Sequence, residues 1–293
     1  MFEFVRGTLV DMFSLQLVIR ALVVGTLVAL CAALLGVTLV LKRYSMIGDG
    51  LSHVGFGTLA LAMGLSMVTP LNTVITTPLM VSIPLVLITA FFLLRISENS
   101  KIKGDAAIAL ISSSALAIGV VIIKKTVGMS ADVCNYMFGA IMAMQASDVW
   151  WSVGVAAAVL ALFVLFYHSI FAVTFDETFA RATGTKAGFY NMLIALLTAL
   201  TVVIGMRLMG AMLISSLIIF PALTAMRLCR SFRSVTVCAA VLSVVCFFVG
   251  IFTSYAWDTP AGASVVLVNL LGFLLFTTIA ALRSAINKRR ETQ

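Results

Sequence analysis

Residues 21–41 read ALVVGTLVALCAALLGVTLVL, a run of 21 residues without a single charge. A helix needs about 20 predominantly apolar residues to cross the hydrocarbon core of a bilayer, so this run predicts a membrane span. The run is longer than the apolar region of a cleavable signal peptide, and Lys42 and Arg43 follow it immediately. We therefore expect it to remain in the protein as a transmembrane helix.

The composition of the whole chain is that of a membrane protein. It has 293 residues, of which 62% are hydrophobic and 10% are charged, whereas soluble domains carry about 25% charged residues. A water-soluble fold is therefore excluded, and the expected fold class is an all-α polytopic membrane protein of about nine helices. The apolar run at 54–94 is too long for one crossing, and the turn-forming residues at 66–72 divide it. We expect a single transmembrane domain over 1–293, with spans at 17–41, 46–65, 74–94, 105–123, 149–171, 188–206, 208–226, 234–253 and 262–282.

Lysine and arginine residues predict the orientation of these spans. Of the 19 basic residues, 14 fall in connections on one side and 5 on the other, and the side richer in basic residues is the cytoplasmic one. This count places the N-terminus outside and the C-terminus in the cytoplasm. Aromatic side chains that favour membrane interfaces lie at the expected outer boundary, namely Trp150, Trp151, Tyr255 and Trp257. Topology thus explains the net charge of +8, and no nucleic-acid partner is expected.

Asp49 and His53 form an ionisable pair within the second expected span. Their spacing of four residues is about 40° around a helix, so both side chains project from one face. An ionisable group inside a membrane costs roughly 2.5 to 3.5 kcal/mol and usually faces a cavity or a partner, and imidazole with carboxylate suits zinc, manganese or iron. The alternative is that Asp49 caps a helix while Ser52 and His53 bond to neighbouring spans. Two ligands do not complete a metal site, so others must come from backbone, water, another span or a second subunit.

Three motifs, in order along the chain, resemble a known family. The stretch GDGLSH at 48–53 is similar to the Gly-Asp-x-x-Ser-His motif that follows the first span in permease subunits of bacterial ABC importers for zinc, manganese or iron. The stretch GDAAI at 104–108 resembles the opening of that family's fourth span. MGAMLISSLIIFPA at 209–222 is similar to its Gly-x-x-Leu-(x)n-Pro-Ala segment. The resemblance implies the ABC importer permease fold, with Asp49 and His53 on the metal path.

The connection at 175–186 has the composition of a short helix on the cytoplasmic side. Asp176 and Glu177 are favourable near a helix N-terminus, and Gly184 suits the C-terminal end. Glu177, Ala180 and Gly184 also match the Glu-(x)2-Ala-(x)3-Gly spacing of the coupling helix in ABC importer permeases. The resemblance implies an ATPase-coupling role for Asp176, Glu177, Ala180 and Gly184. The alternative is an ordinary amphipathic surface helix.

The chain contains no GxxxxGK[ST] loop for ATP, so an ATP-driven transporter needs a separate ATPase chain that binds the ATP. With one set of spans, the resemblance also implies a homodimer around a central path. It further implies an extracytoplasmic metal-binding protein as partner and a location in the bacterial cell membrane. The chain itself is then a transport subunit without a permanently bound cofactor, and not an enzyme. The expected transported ion is zinc, and manganese and iron are the alternatives.

Two further features of the sequence are less specific, and two other functions are alternatives. The outer segment around Tyr136 and Met137 is a candidate gate beneath the binding protein, or else a surface helix. His168 is expected at the interface, hydrogen-bonded rather than bound to metal. A permease for a metal chelate or a cobalamin-like cofactor would keep the same architecture without convergent ligands around Asp49. An intramembrane metalloenzyme is disfavoured, because the chain has two histidines and no HExxH motif.

Overall fold

The structure is a computed structural model that describes residues 16–43, 45–68, 83–92, 104–126 and 146–291. These residues are helical almost throughout, and no strand occurs among them. We number the helices α1 (Gln16–Leu41), α2 (Ser45–Val68), α3 (Ile83–Phe92), α4 (Gly104–Thr126), α5 (Ala146–Leu165), α6 (Tyr167–Phe175), α7 (Glu177–Ala182), α8 (Ala187–Met209), α9 (Ala211–Leu228), α10 (Phe232–Trp257) and α11 (Ala261–Glu291).

Six of these helices are long and apolar enough to cross a membrane, namely α1, α4, α8, α9, α10 and α11. The pair formed by α5 and α6 passes the same test together, although it bends by 68° at Phe166, which makes up to seven candidate spans among the described residues. An all-helical membrane fold is therefore confirmed. The number nine and the orientation of the termini stay predictions, and most of the expected span at 74–94 lies outside the described residues.

Helix α1 lies at the centre of the bundle and packs against α5, α8, α9 and α10. Its apolar span is 67% buried inside the protein, whereas that of α11 is 11% buried. Polar contacts join α1 to its neighbours: the Ser243 hydroxyl donates to the carbonyl of Ala29 (2.9 Å), and the Cys31 thiol donates to that of Ala156 (3.6 Å). Such hydrogen bonds between helices add to close packing where no hydrophobic effect drives helices together.

Helix α2 packs more extensively against α4 than any other two helices pack together. Glycine makes this approach possible, because a Cβ added at Gly57 would lie 2.6 Å from the carbonyl oxygen of Ala115. Gly119 faces Gly57 across the same seam, and a Cβ there would lie 3.0 Å from the Cα of Gly57. Small residues at such positions let helix backbones approach closely. The seam fixes α2, and with it the Asp49–His53 face, against α4.

The chain turns sharply between α1 and α2. After Leu41, the backbone amides of Lys42 and Arg43 still donate to the carbonyls of Thr38 (3.0 Å) and Val40 (3.1 Å). Arg43 adopts the left-handed conformation with φ of 61°, and α2 begins at Ser45. The connection between the two helices therefore spans only residues 42–44.

Candidate functional site

A groove of about 680 Å³ runs between α2 and α4 and is partly open. Asp49 and His53 line it from α2, and Ser112 and Ser113 line it from α4. The rest of its lining is largely apolar, with Met46, Ile108 and Leu116 among the residues that contribute. A polar pair in an apolar groove is the arrangement in which ionisable groups of a membrane protein serve an ion path.

The structure brings Asp49 and His53 together, as their spacing predicts. Oδ2 of Asp49 lies 3.8 Å from Nε2 of His53, and the side chains are 46% and 30% exposed, respectively. Zinc binds carboxylate oxygen and imidazole nitrogen at about 2.0 to 2.2 Å, so in a tetrahedral site two such ligand atoms lie roughly 3.4 Å apart. The observed separation is close to this value, so a small movement of the side chains lets both reach one cation from the same wall of the groove.

Ser215 of α9 is a third member of this site. Its hydroxyl lies 3.1 Å from each of two acceptors, Oδ1 of Asp49 and the carbonyl of Ala211 on its own helix, and 3.3 Å from the Ser52 hydroxyl. The Ser52 hydroxyl in turn donates to the backbone carbonyl of Asp49 over 2.6 Å. The sequence places Ser215 within the motif at 209–222 but does not indicate its contact with Asp49. The one feature that points to it is the serine pair Ser215 and Ser216 in a largely apolar helix.

These contacts orient the Asp49 carboxylate. Ser215 holds Oδ1 on the side of α9, and this leaves Oδ2 directed towards His53 and the groove. Outer-shell hydrogen bonds of this kind fix the direction and basicity of a metal-binding carboxylate. Among the described residues, no group of three or more His, Cys, Asp and Glu side chains is placed to hold a metal. Any ion bound by the pair needs further oxygen or nitrogen ligands from elsewhere.

The connection at 175–186 contains the short helix α7, which Asp176 caps at its N-terminus. The amide of Phe179 donates to Oδ1 of Asp176 over 2.9 Å, and the Thr178 hydroxyl donates to the same oxygen over 2.6 Å. These hydrogen bonds hold the pKa of Asp176 below its ordinary value, because they favour the ionised carboxylate. Asp176 thus serves the fold of α7.

Gly184 ends α7 in a Schellman motif. The amide of Thr185 donates to the Ala180 carbonyl (2.9 Å), that of Gly184 donates to the Arg181 carbonyl (3.1 Å), and Gly184 has φ of 85°. Glycine occupies this position because other L-residues are strained in the left-handed region. Ala180 is fully buried and packs with Val173 and Ala187. The spacing of Ala180 and Gly184 therefore follows from two structural needs: Ala180 packs α7 against the bundle, and Gly184 ends the helix.

Glu177 points towards α8 and the C-terminal end of α1. Its carboxylate accepts a hydrogen bond from Asn191 of α8 and lies near Lys42 and Arg181. On the outer face of α7, the Phe179 side chain is 64% exposed. All four residues assigned to ATPase coupling thus have structural contacts within the subunit, and Phe179 adds an exposed apolar side chain to the surface of the helix.

The candidate gate and His168 are the remaining predicted positions. Tyr136 and Met137, the candidate gate, lie outside the described residues. His168 is exposed, and its ring contacts that of Tyr167 edge-on at a centroid distance of 5.6 Å. It lies on α6, away from the groove residues of α2 and α4.

Comparison with known proteins gives a consistent result over nearly the whole chain. Residues 14–280 match the model of the ABC 3 transport family. The chain is 32% identical over 278 residues to the manganese import system permease protein ScaB of Streptococcus gordonii, covering 95% of each chain. It is 30% identical over 261 residues to the high-affinity zinc uptake system membrane protein ZnuB of Haemophilus influenzae, covering 89% of this chain and 96% of that one.

A solved structure agrees with these relatives. A chain of PsaBC from Streptococcus pneumoniae in complex with Fab superposes with a TM-score of 0.81 at 30% identity, covering 92% of this chain and 94% of that chain. The family match and the long apolar helices also decide two of the sequence predictions, since they indicate a multi-pass protein of the bacterial inner membrane and a transport subunit rather than an enzyme. The chain belongs to the ABC 3 transport family.

Proposed function

We propose that this chain is the permease subunit of an ABC importer that carries a divalent transition metal into the cytoplasm. The observation that carries the proposal is the pair of Asp49 and His53, whose ligand atoms lie 3.8 Å apart on the wall of an open groove. Relatives named for manganese and for zinc support a metal of this class. Zinc is our first choice, because imidazole nitrogen and carboxylate oxygen are both common zinc ligands; manganese and iron are the alternatives.

The groove supports a homodimer as the working form. Two protein ligands are too few for any of these metals, and the described part of this subunit offers no third His, Cys, Asp or Glu beside them. A second copy that faces the open side of the groove would bring its own Asp49 and His53. The ion would then pass between the two subunits, held transiently by both pairs.

The loop at 175–186 supports docking of a separate ATPase. Helix α7 is closed at both ends by Asp176 and Gly184, so it is rigid enough to transmit a displacement. Its exposed Phe179 offers a large apolar side chain to a partner, and aromatic residues dominate the binding energy of many interfaces. ATP binds to that partner, and an extracytoplasmic protein delivers the metal from the other side.

We further propose one transmembrane domain of nine spans, with the N-terminus outside and the C-terminus in the cytoplasm. Helix α2 counts among these spans, because its 24 residues extend over about 36 Å, which exceeds the hydrocarbon core of about 30 Å. The expected span at 74–94 completes the number. The basic residues that set this orientation include three near the start of α10, Arg227, Arg230 and Arg233.

The first test is uptake of radioactive zinc, manganese and iron by cells that depend on this importer. We expect Asp49→Asn and His53→Gln each to lower uptake of the transported metal by at least about 10-fold, since even outer-shell changes cost 10- to 100-fold. Asp258→Asn and His168→Gln are matched controls, because both residues are exposed and distant from the groove. Their uptake should equal that of the unaltered protein.

Assembly must be checked alongside transport. Each variant should copurify with the ATPase as the unaltered chain does, so that lost uptake reports on the metal path. Unchanged uptake in both Asp49→Asn and His53→Gln would contradict the assignment of the path. Uptake of a metal chelate with no uptake of the free ion would instead support a chelate permease.

A further inference from the structure

Three side chains from three separate elements meet at the inner end of α1. Lys42 follows α1, Glu177 begins α7 and Asn191 lies in the first turns of α8. Nζ of Lys42 lies 3.8 Å from Oε2 of Glu177, and Nδ2 of Asn191 donates to the same oxygen over 3.1 Å. Lys42 also donates to Oδ1 of Asn191. The three groups form a closed triangle of polar contacts.

This triangle is more than a surface ion pair. The Lys42 side chain is 8% exposed and that of Glu177 is 37% exposed, so breaking the contact would leave a buried ammonium group without its carboxylate. Burial raises the pKa of Glu177, but hydrogen bonds from Asn191 and Arg181 and the charges of Lys42 and Arg181 outweigh it and hold this pKa below its ordinary value. The carboxylate is therefore ionised at neutral pH, and the hydrogen bond that it accepts from Asn191 is charge-assisted.

Lys42 is also coupled closely to the metal-path helix. The turn after α1 is tied back by the amides of Lys42 and Arg43, and α2 begins at Ser45. Asp49 follows only one turn into α2, seven residues after Lys42. A displacement of Glu177 that moves Lys42 thus acts close in sequence to the Asp49 carboxylate.

We infer that the Lys42–Glu177–Asn191 triangle is the mechanical link between the coupling helix α7 and the helix that carries Asp49 and His53. The inference rests on the proposed function, since it presumes that an ATPase moves α7. Glu177 then acts inside the subunit, by holding the corner between α1 and α2, while the exposed face of α7 meets the ATPase. Lys42 and Asn191 are positioning residues that act through Glu177.

The test is a double-mutant cycle on the assembled transporter in proteoliposomes, with metal uptake and ATP hydrolysis measured together. Lys42→Met and Glu177→Gln should each lower the metal transported per ATP hydrolysed by at least about 5-fold, the lower bound typical of coupling between sites. The double variant should lose no more than the worse single variant, because both changes break one link. Lys125→Met, a change at an exposed lysine at the end of α4, is the matched control and should keep the ratio.

Two outcomes would overturn the link but not the proposed metal transport. One is a double variant in which the losses of the two single variants multiply, and the other is a pair of single variants whose metal transported per ATP equals that of the unaltered protein. Absence of uptake by the unaltered complex would contradict the proposed function instead. Amide hydrogen exchange tests the link without transport: in the assembled complex, Lys42→Met should speed exchange in residues 177–185 and in the first turns of α2. Exchange equal to that of Lys125→Met in both segments would also overturn it.

Discussion

Asp49 uses its two carboxylate oxygens differently. Oδ1 accepts a hydrogen bond from Ser215, whereas Oδ2 faces His53 across 3.8 Å. A carboxylate that is free to rotate would lose rotamer entropy when it binds an ion, and the Ser215 contact removes part of that cost before the ion arrives. Because the Asp49 side chain is 46% exposed, the residue combines a fixed direction with access from the groove.

At the residue scale we predict that Ser215→Ala weakens metal transport without abolishing it. Loss of the hydroxyl removes the hydrogen bond to Oδ1, and such outer-shell losses typically reduce metal affinity by 10- to 100-fold. The measurement is uptake over a range of metal concentrations, in which KM should rise more than the maximal rate falls. Ser216→Ala is the control, because its hydroxyl donates to the Leu213 carbonyl on its own helix. Equal effects of the two substitutions would contradict the role of Ser215.

The sequence identifies Asp49 and His53 for a physical reason that is local. They lie one helical turn apart in a chain with few charges, so their pairing needs no knowledge of the fold. Ser215 and Asp49 are separated by 166 residues, and Lys42 and Asn191 by 149. Those contacts exist only because α9 and α8 pack beside the corner of α1 and α2, which periodicity and hydropathy do not specify.

At the element scale, α2 is held by glycine on the side of α4. The seam at Gly57 and Gly119 brings the two backbones close and places Ser112 and Ser113 opposite Asp49 and His53. The width of the groove depends on this approach. Any side chain at Gly57 would push α4 away from α2 through the Ala115 carbonyl, a backbone atom that cannot turn aside as a flexible side chain can.

We therefore predict that Gly57→Ala destabilises the protein, by about 1 to 3 kcal/mol as for other overpacked sites. A methyl group there would lie 2.6 Å from the Ala115 oxygen. Thermal denaturation of the purified permease in detergent should show a lower Tm. Gly154→Ala is the matched control, since nothing lies within 4 Å of that position, and alanine there should keep or raise the Tm. A Gly57→Ala protein as stable as the Gly154→Ala protein would contradict close packing at the seam.

The ends of helix α7 could be predicted from the sequence, but the contacts of its side chains could not. Its composition indicates a cap at Asp176 and a C-terminal glycine at Gly184, and the hydrogen bonds place them so. The composition does not show which way Glu177 points. The neighbour that the sequence suggests is Arg181, four residues later on the same helix. The structure adds Lys42 and Asn191 as partners from other elements.

At the scale of the whole molecule, apolar length predicts the class of fold and leaves the packing order open. Long uncharged runs require helices in a bilayer, because every backbone polar group must be satisfied within its own segment. Nothing in those runs distinguishes the central α1, which is 67% buried, from the peripheral α11, which is 11% buried. The 68° bend at Phe166 was likewise not visible, since both of its arms are apolar and neither contains proline or glycine at the break.

The predicted orientation of the whole molecule can be tested at the two ends of α10. This helix has 26 residues and extends over about 39 Å, so the turns at Arg230 and Thr259 must lie on opposite faces of the membrane. Arginine flanks the first turn, whereas Trp257 marks the second.

We predict that a cysteine at Thr259 is labelled by a membrane-impermeant maleimide in intact cells, and that one at Arg230 is labelled only after permeabilisation. The five native cysteines are first replaced, and the background protein must still transport metal. Labelling of Arg230→Cys from outside, with Thr259→Cys protected, would mean that the chain is inserted the other way round and would place α7 out of reach of a cytoplasmic ATPase.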